Sequence, residues 1–159
     1  MTKTNILQID GGIGKCVAST GVIKAMKKQY PDENIVVISG YPEVFLNNPN
    51  VSKSLQHGNL SYFYTDHVEN KDIRLFLHNP YLEVDYVQEK KHLIQTWCEM
   101  FGIKYNGEQP EIFINQRELD FFQKKYSSDK PILLMQTNGG ATKELKYSFA
   151  RDLPRSEEH

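Results

Sequence analysis

The sequence predicts an α/β fold: a Rossmann-like parallel sheet with flanking helices. Two observations support this. Residues 5–10, 15–30 and 34–39 follow the order strand, helix, strand, and residues 34–39 form a nearly continuous β-branched run. Such a run is typical of a parallel strand that is buried on both faces. A glycine-rich turn joins the first strand to the helix, at the position where folds of this class bind ligands.

The first strand runs into the turn Asp10-Gly11-Gly12-Ile13-Gly14-Lys15. Glycines let the backbone bend tightly and approach a ligand closely, and the first N–H groups of the following helix are free to bind an anion. The turn therefore predicts a binding site. The alternative is that the glycines serve only a tight turn and close helix packing.

The turn does not match either common nucleotide-binding motif. Gly12 and Gly14 fit the first two positions of G-x-G-x-x-G, but Val17 occupies the third. For a P-loop, Ile9 stands at the leading glycine position, and Cys16 replaces the hydroxyl that would ligate Mg²⁺. Hydrolysis of a nucleotide at a P-loop is therefore disfavoured.

In the central part of the chain, the alternation of strands and helices is less clear. Gly40-Tyr41-Pro42 ends the second strand, and a short helix is expected over residues 43–47. Residues 52–70 show no clear period, and residues 62–64 could form a strand or a packed loop. Residues 72–77 predict another strand of the sheet, which ends at His78-Asn79-Pro80-Tyr81. His78 at that strand end could bind or deprotonate a substrate, or could simply be packed there.

The last third of the chain predicts two helices and a strand. A helix over residues 84–101 is expected to end at Gly102 and to direct five side chains inward: Val87, Ile94, Trp97, Cys98 and Phe101. Residues 115–118 form a capping-box pattern that opens a helix running to Tyr126. Residues 132–136 are expected to be a last strand, which packs onto the first domain or recruits another chain through its exposed edge.

Composition narrows the class of protein. The chain has 159 residues with 19 basic and 20 acidic side chains, a formal net charge of −1, so no basic field favours nucleic acid. Cys16 and Cys98 have no metal-binding spacing, and reduced thiols are expected. Three of the histidines, His67, His78 and His92, also lack such a spacing. We expect no metal, no cofactor, no membrane span and a cytoplasmic location.

The opening of the chain carries an ordered series of short segments. They are Ile6-Leu7-Gln8-Ile9, Gly11-Gly12-Ile13-Gly14, Ala18-Ser19-Thr20, Ile23-Lys24-Ala25-Met26-Lys27-Lys28, Tyr30-Pro31-Asp32 and Asn47-Asn48-Pro49-Asn50-Val51. This series resembles the start of the lipopolysaccharide heptosyltransferase-like (ADP-heptose:LPS heptosyltransferase) glycosyltransferases. The resemblance implies the N-terminal half of a GT-B fold, in which two Rossmann-like domains face each other across a cleft.

The chain departs from that family at one position of the first turn. The family places an aspartate directly after the last loop glycine as the base for the acceptor hydroxyl, and this chain has Lys15 there. Lys15 could contact a phosphate or the acceptor, could be a solvated lysine, or could be a base if its pKa were strongly lowered. Asp10 could replace the missing base, or could cap or brace the loop. Asp10 is thus the candidate catalytic residue, and the candidate substrate-binding residues are Gly11, Gly12, Ile13, Gly14 and Lys15 of the loop, with His78 at the strand end.

The resemblance returns near Lys130. Residues 130–136 and the following glycine turn look like the start of a second GT-B domain, so the expected division is residues 1–129 and 130–159. The resemblance implies that the donor phosphates of a nucleotide sugar are contacted by Thr137, Asn138, Gly139, Gly140 and Lys146. Two full Rossmann domains need roughly 250 residues or more, so the second is expected to be truncated.

The resemblance implies sugar transfer from a nucleotide-sugar donor to a hydroxyl acceptor, without an obligatory metal. A truncated, split or fragmentary enzyme would be inactive by itself, and a donor-half partner or a homo-oligomer is expected. The alternative is a non-catalytic Rossmann-like binding or assembly module. The two hypotheses differ in whether a carboxylate reaches the cleft at the first loop and whether a donor half exists.

Overall fold

The structure is a computed structural model that describes residues 2–128 and 130–134. The chain divides into two units, one ending at Gln116 and one beginning at Arg117, and each is described by itself. None of the helices in the described part has the length and apolar character needed to cross a bilayer. Residues 137–140 and Lys146, which the sequence assigns to donor phosphates, lie outside the described residues.

The first unit is built on a sheet of four parallel strands. They are β1 (Thr4–Ile9), β2 (Asn34–Ser39), β3 (Lys53–Gln56) and β4 (Ile73–Phe76). The spatial order is β3-β2-β1-β4, and all three pairings are parallel. The α/β parallel sheet that the sequence predicts is thus confirmed. Strand β3 is an addition, since its short polar sequence carries no recognisable period.

The strand order places a topological switch point beside β1. The chain moves outward from β1 through β2 to β3, and then returns to pair β4 with the other side of β1. In open α/β sheets, ligands bind in the crevice at the carboxyl ends of the strands where the order reverses. The loops after Ile9 and Phe76 therefore flank the expected ligand position.

Helix α1 (Ile13–Gln29) follows β1 and is buried over most of its circumference. The chain after residue 103 lies along this helix and pairs with two of its lysines. Lys24 pairs with Glu111, and Lys28 pairs with Glu108 at 2.8 Å. The backbone N–H of Glu111 donates to Thr20 Oγ1 at 2.8 Å. The outer side of α1 is therefore covered by a chain segment that has no regular secondary structure.

The predicted helix over residues 84–101 is two helices, α3 (Val84–Val87) and α4 (Leu93–Met100). Glu89 between them has a φ of 56°, which an α-helix cannot contain. The expected inward position of Val87 is wrong, since this side chain is 64% exposed. Ile94, Trp97 and Cys98 are buried as predicted, and Phe101 packs at the edge of the same core.

Two shorter segments also differ from the sequence prediction. Residues 62–64 form neither a strand nor a packed loop, because Tyr62 adopts a left-handed conformation that caps α2 (Phe63–His67). The helix expected over residues 43–47 is a 3₁₀ turn at Pro42–Phe45. Proline fits the first positions of such a turn because its missing N–H needs no partner there.

In the second unit, α5 (Gln116–Lys125) begins next to Asn115, as the capping pattern predicts. The strand expected over residues 132–136 is wrong for residues 132–134, which have no regular secondary structure, and the other two residues lie outside the described range. Ile132, Leu133 and Leu134 are 49%, 78% and 77% exposed. An apolar run forms a strand only with a hydrogen-bonded neighbour, which composition does not supply.

The Lys28–Glu108 pair predicts a loss of stability in acid. Burial alone would raise the pKa of Glu108, but hydrogen bonds from Lys28 and from the backbone of Asn106 outweigh it and hold the pKa below its usual value. A lowered folded-state pKa stabilises the protein above the unfolded pKa of about 4.3 and loses that stability as the pH falls through the folded value. Glu108→Gln should cost about 1–3 kcal/mol at neutral pH in urea unfolding, and this cost should shrink as the pH falls through the folded-state pKa of Glu108. Asp32→Asn, at an exposed turn, is the control, and an equal loss in both variants would contradict the prediction.

Candidate functional site

The loop after β1 forms one wall of the site at the switch point. Gly11 has a φ of 102°, a conformation that favours glycine. A Cβ atom at Gly11 would lie 3.4 Å from Cδ of Lys15, so the lysine side chain passes directly over this glycine. The loop therefore needs Gly11 for its backbone conformation, whereas a Cβ there would make only van der Waals contact with Lys15.

Gly12 is the N-cap of α1 and leaves the helix start without a side-chain cap among the described residues. The Gly12 carbonyl accepts hydrogen bonds from the backbone N–H groups of Lys15 and Cys16, at 3.0 and 3.3 Å. The first turn contains no acidic residue. A helix N-terminus is the positive end of the helix dipole, and without a cap its free N–H groups favour binding of an anion.

Lys15 is the central side chain of the site, and only 8% of its surface is exposed. Its Nζ donates a hydrogen bond to Oδ1 of Asn79 at 3.2 Å. The same nitrogen lies 5.6 Å from the ring centroids of both Tyr81 and Trp97. Burial lowers the pKa of Lys15, and the nearby charge of Asp10 partly offsets that effect. These contacts join α1 to the turn after β4 and to α4; we call Lys15, Asn79, Tyr81 and Trp97 the lysine cage.

Asp10 lies at the end of β1 with its side chain 70% exposed. Gln8 Nε2 donates to Asp10 Oδ1 at 3.4 Å, and His57 Nε2 lies 3.3 Å from the same oxygen. His57 directly follows β3, so the ends of β1 and β3, the strands on either side of β2, bring the carboxylate and the imidazole together. A carboxylate thus reaches the edge of the sheet where the first loop lies.

His78 is exposed and is separate from the lysine cage. Its ring packs beside Phe101 with 6.1 Å between centroids. Asn79, rather than His78, is the residue of this turn that contacts Lys15. Asn79 Oδ1 also accepts a hydrogen bond from the backbone N–H of Tyr81 at 3.3 Å, which fixes the turn.

The sequence placed the loop at the right edge of the sheet but missed part of the site. His57 was not identified, because β3 carried no period that would locate its end. Trp97 was assigned only to the core, and its distance from Lys15 depends on how α4 packs. Asn79, directly before Pro80, could have indicated this turn from the sequence, because asparagine often caps a turn at that position.

A cavity of about 430 Å³ lies at the opposite, amino-terminal edge of the sheet. Its lining includes Thr4 and Asn34 at the starts of β1 and β2, together with His67 and Asp72. Burial lowers the pKa of His67, and the positive charge of Lys53 lowers it further. Parallel α/β sheets bind ligands at the carboxyl-terminal edge of the strands, so this cavity at the amino-terminal edge provides a comparison for the candidate site.

Comparison with known proteins supports the fold. No family model and no curated protein matches the chain. A similar solved structure is the crystal structure of a glycosyl transferase family 9 protein from Veillonella parvula, with a TM-score of 0.65 and 14% identity. The match covers 94% of this chain and 58% of that protein. At this identity the likeness shows a shared α/β fold, and activity has to be argued from the site.

Proposed function

We propose that the chain is the acceptor-binding half of a GT-B glycosyltransferase related to the heptosyltransferases. The observation that carries this proposal is the arrangement at the switch point. An exposed carboxylate, Asp10, and the uncapped start of α1 lie at the same edge of the sheet. The fold shared with a family 9 glycosyl transferase and the resemblance of the first 55 or so residues are consistent with it. Because the chain spans 58% of that protein, a nucleotide-sugar site supplied by other residues or by a partner is part of the proposal.

In this proposal, Asp10 is the base. It takes the proton of the acceptor hydroxyl while that oxygen forms a bond to the donor sugar and the bond to the diphosphate breaks, with inversion. His57 is assigned as a positioning residue for this carboxylate because its Nε2 lies 3.3 Å from Asp10 Oδ1, although this nitrogen forms no hydrogen bond among the described residues. The backbone of residues 11–14 and the side chains of Lys15 and His78 contact the acceptor. The donor diphosphate is assigned to residues 137–140 and Lys146.

The proposal assigns acceptor binding to this chain. It is tested by comparing the affinities of different classes of ligand for the 159-residue chain. We expect no measurable sugar transfer by the chain alone, and binding of nucleotide sugars weaker than about 1 mM, since the proposal assigns donor binding largely to other residues or to a partner. Calorimetry with nucleotide sugars, NAD and ATP provides the measurement. Micromolar binding of a nucleotide sugar would contradict the acceptor-half assignment, and preferential binding of NAD or ATP would contradict the glycosyltransferase assignment.

A non-catalytic binding module is the second candidate, and one observation favours it. Lys15 stands where the family has its aspartate, and its contacts with Asn79 and two aromatic rings stabilise a cation rather than a base. Asp10 separates the two candidates. If the chain binds a sugar but Asp10→Asn leaves every reaction that it supports unchanged, the binding module is the better description.

A further inference from the structure

Strand β4 forms one edge of the sheet, and no strand in the described part of the chain pairs with its outer side. The Thr4 N–H donates to the Asp72 carbonyl at 2.9 Å, and Thr4 lies beside Ile73 in the register. In a parallel pair, this bond turns the N–H and C=O groups of the even-numbered β4 residues toward β1. Those of Ile73 and Leu75 therefore point outward, and Leu77 follows at the same spacing.

The side chains along this outer edge are apolar. Leu75 lies beside Ile6 in the register, and Ile73 packs against the buried cluster that contains Ile6. Leu75 and Leu77 are nevertheless 54% and 51% exposed. Edge strands are usually protected by charged side chains, proline or a bulge, and parallel sheets are usually covered on both faces. Positions 73, 75 and 77 carry neither a charge nor a proline, so this edge is suited to pairing with another strand.

We propose that β4 pairs with β4 of a second copy of this chain, in an antiparallel register centred on Leu75. This register places Leu75 opposite Leu75 and Ile73 opposite Leu77. All three residues turn their backbone groups outward, so each opposing pair exchanges two N–H···O hydrogen bonds. Their side chains lie on one face and form an apolar ladder across the interface. The two sheets join into one sheet with two-fold symmetry, the commonest symmetry of dimers.

Charge complementarity favours a second copy as the partner. In this register, Asp72 lies opposite His78, and the two-fold axis makes this contact occur twice. The Asp72 side chain is 59% exposed although it lies 3.4 Å from Lys3, so it can take a further donor. One imidazole N–H can donate to the carboxylate, which leaves the other ring nitrogen for the acceptor contact proposed for His78.

The same register avoids opposing cations. It places Arg74 opposite Phe76, and the Arg74 guanidinium is already paired with Glu33 at 2.9 Å. A register centred on Arg74 would put two guanidinium groups opposite each other, and one centred on Phe76 would put Arg74 opposite His78. Like charges directly opposite each other destabilise a strand pair. The register centred on Leu75 is therefore favoured over its two neighbours.

Light scattering of the full chain at rising concentration tests the proposal. An interface one strand wide is small, so we expect a monomer–dimer equilibrium with a Kd of about 1–100 μM. Leu75→Lys puts two ammonium groups at the centre of the interface and should raise the Kd at least tenfold. Leu46→Lys is the matched control, because Leu46 is 55% exposed and follows the 3₁₀ turn after β2, on the other side of β1. It should change the Kd less than about twofold.

Cysteine variants test the register. The natural thiols, Cys16 and Cys98, are buried. Leu75→Cys brings two Cα atoms to about 5.5 Å in a hydrogen-bonded pair, a separation that a disulfide can span. Mild oxidation should therefore convert this variant into a covalent dimer. Leu77→Cys has nearly the same exposure but lies opposite Ile73, so it should stay uncrosslinked under the same conditions.

Three results would overturn the inference. The first is a chain that remains monomeric at about 500 μM, and the second is a dimer that Leu75→Lys leaves unchanged. The third is crosslinking of Leu77→Cys in place of Leu75→Cys. A monomer whose Leu75→Lys variant melts well below the original chain would show that another segment of the same chain covers this edge, which excludes the second copy.

Discussion

Replacing Trp97 by alanine is expected to lower the free energy of unfolding by about 3–5 kcal/mol. Trp97 is 1% exposed and packs in the same core as Ile94 and Cys98 of α4. Its ring also lies 6.3 Å from the ring of Phe101, measured between centroids. Removing the indole creates a cavity below Lys15 and removes one aromatic face from the lysine cage. For a domain of ordinary stability, this loss is a large fraction of the total free energy of unfolding.

Trp97→Phe is the matched control. Phenylalanine keeps an aromatic ring for the core and for Lys15, and it removes an N–H group that has no acceptor among the described residues. It should therefore cost clearly less than the alanine variant. Urea unfolding followed by circular dichroism measures both. A loss below about 1 kcal/mol for Trp97→Ala would show that α4 does not pack in the core as described.

Replacing Asp10 by asparagine is expected to slow sugar transfer by about 10²–10⁴-fold, the usual contribution of a general base. Asparagine has nearly the same size and can keep the contact with Gln8, but it cannot take the proton of a hydroxyl. Transfer is measured with a nucleotide-sugar donor and a second polypeptide that supplies the donor site. Binding of the acceptor should change by less than about threefold, since the hydroxyl still has a polar partner.

His57→Gln is the companion variant for Asp10. If His57 positions the carboxylate, this variant should lower kcat much less than Asp10→Asn and leave the acceptor KM nearly unchanged. Transfer that is insensitive to Asp10→Asn would exclude Asp10 as the base. The non-catalytic module, or another base, would then be the better account.

The elements around the first loop could be predicted from the sequence because local signals agreed there. The β-branched run of β2 is buried in the sheet, and the glycines before α1 adopt the turn that their freedom permits. Strand, turn and helix then follow each other without competing patterns. The parallel order required only that a helix connect β1 to β2.

The elements that were not predicted correctly depend on contacts between residues that are distant in the sequence. β3 has four residues, three of them polar, and exists because its backbone pairs with β2. The break between α3 and α4 lies at Glu89, a residue type that usually favours helix. The lysine cage brings together residues 64 positions apart in the Lys15–Asn79 contact, which no local pattern predicts.

The position of the candidate site is tested most directly by an NMR titration of the full chain with the sugar that binds best, recorded as amide chemical-shift changes. If the switch point is the acceptor site, the largest changes should fall on Gly11, Gly12 and Gly14 and on Asn79 in the turn after β4. Residues lining the cavity at the opposite edge, such as Asn34 and Asn70, should change little. The largest changes at that opposite cavity, with Gly11, Gly12, Gly14 and Asn79 unaffected, would contradict the assignment of the site.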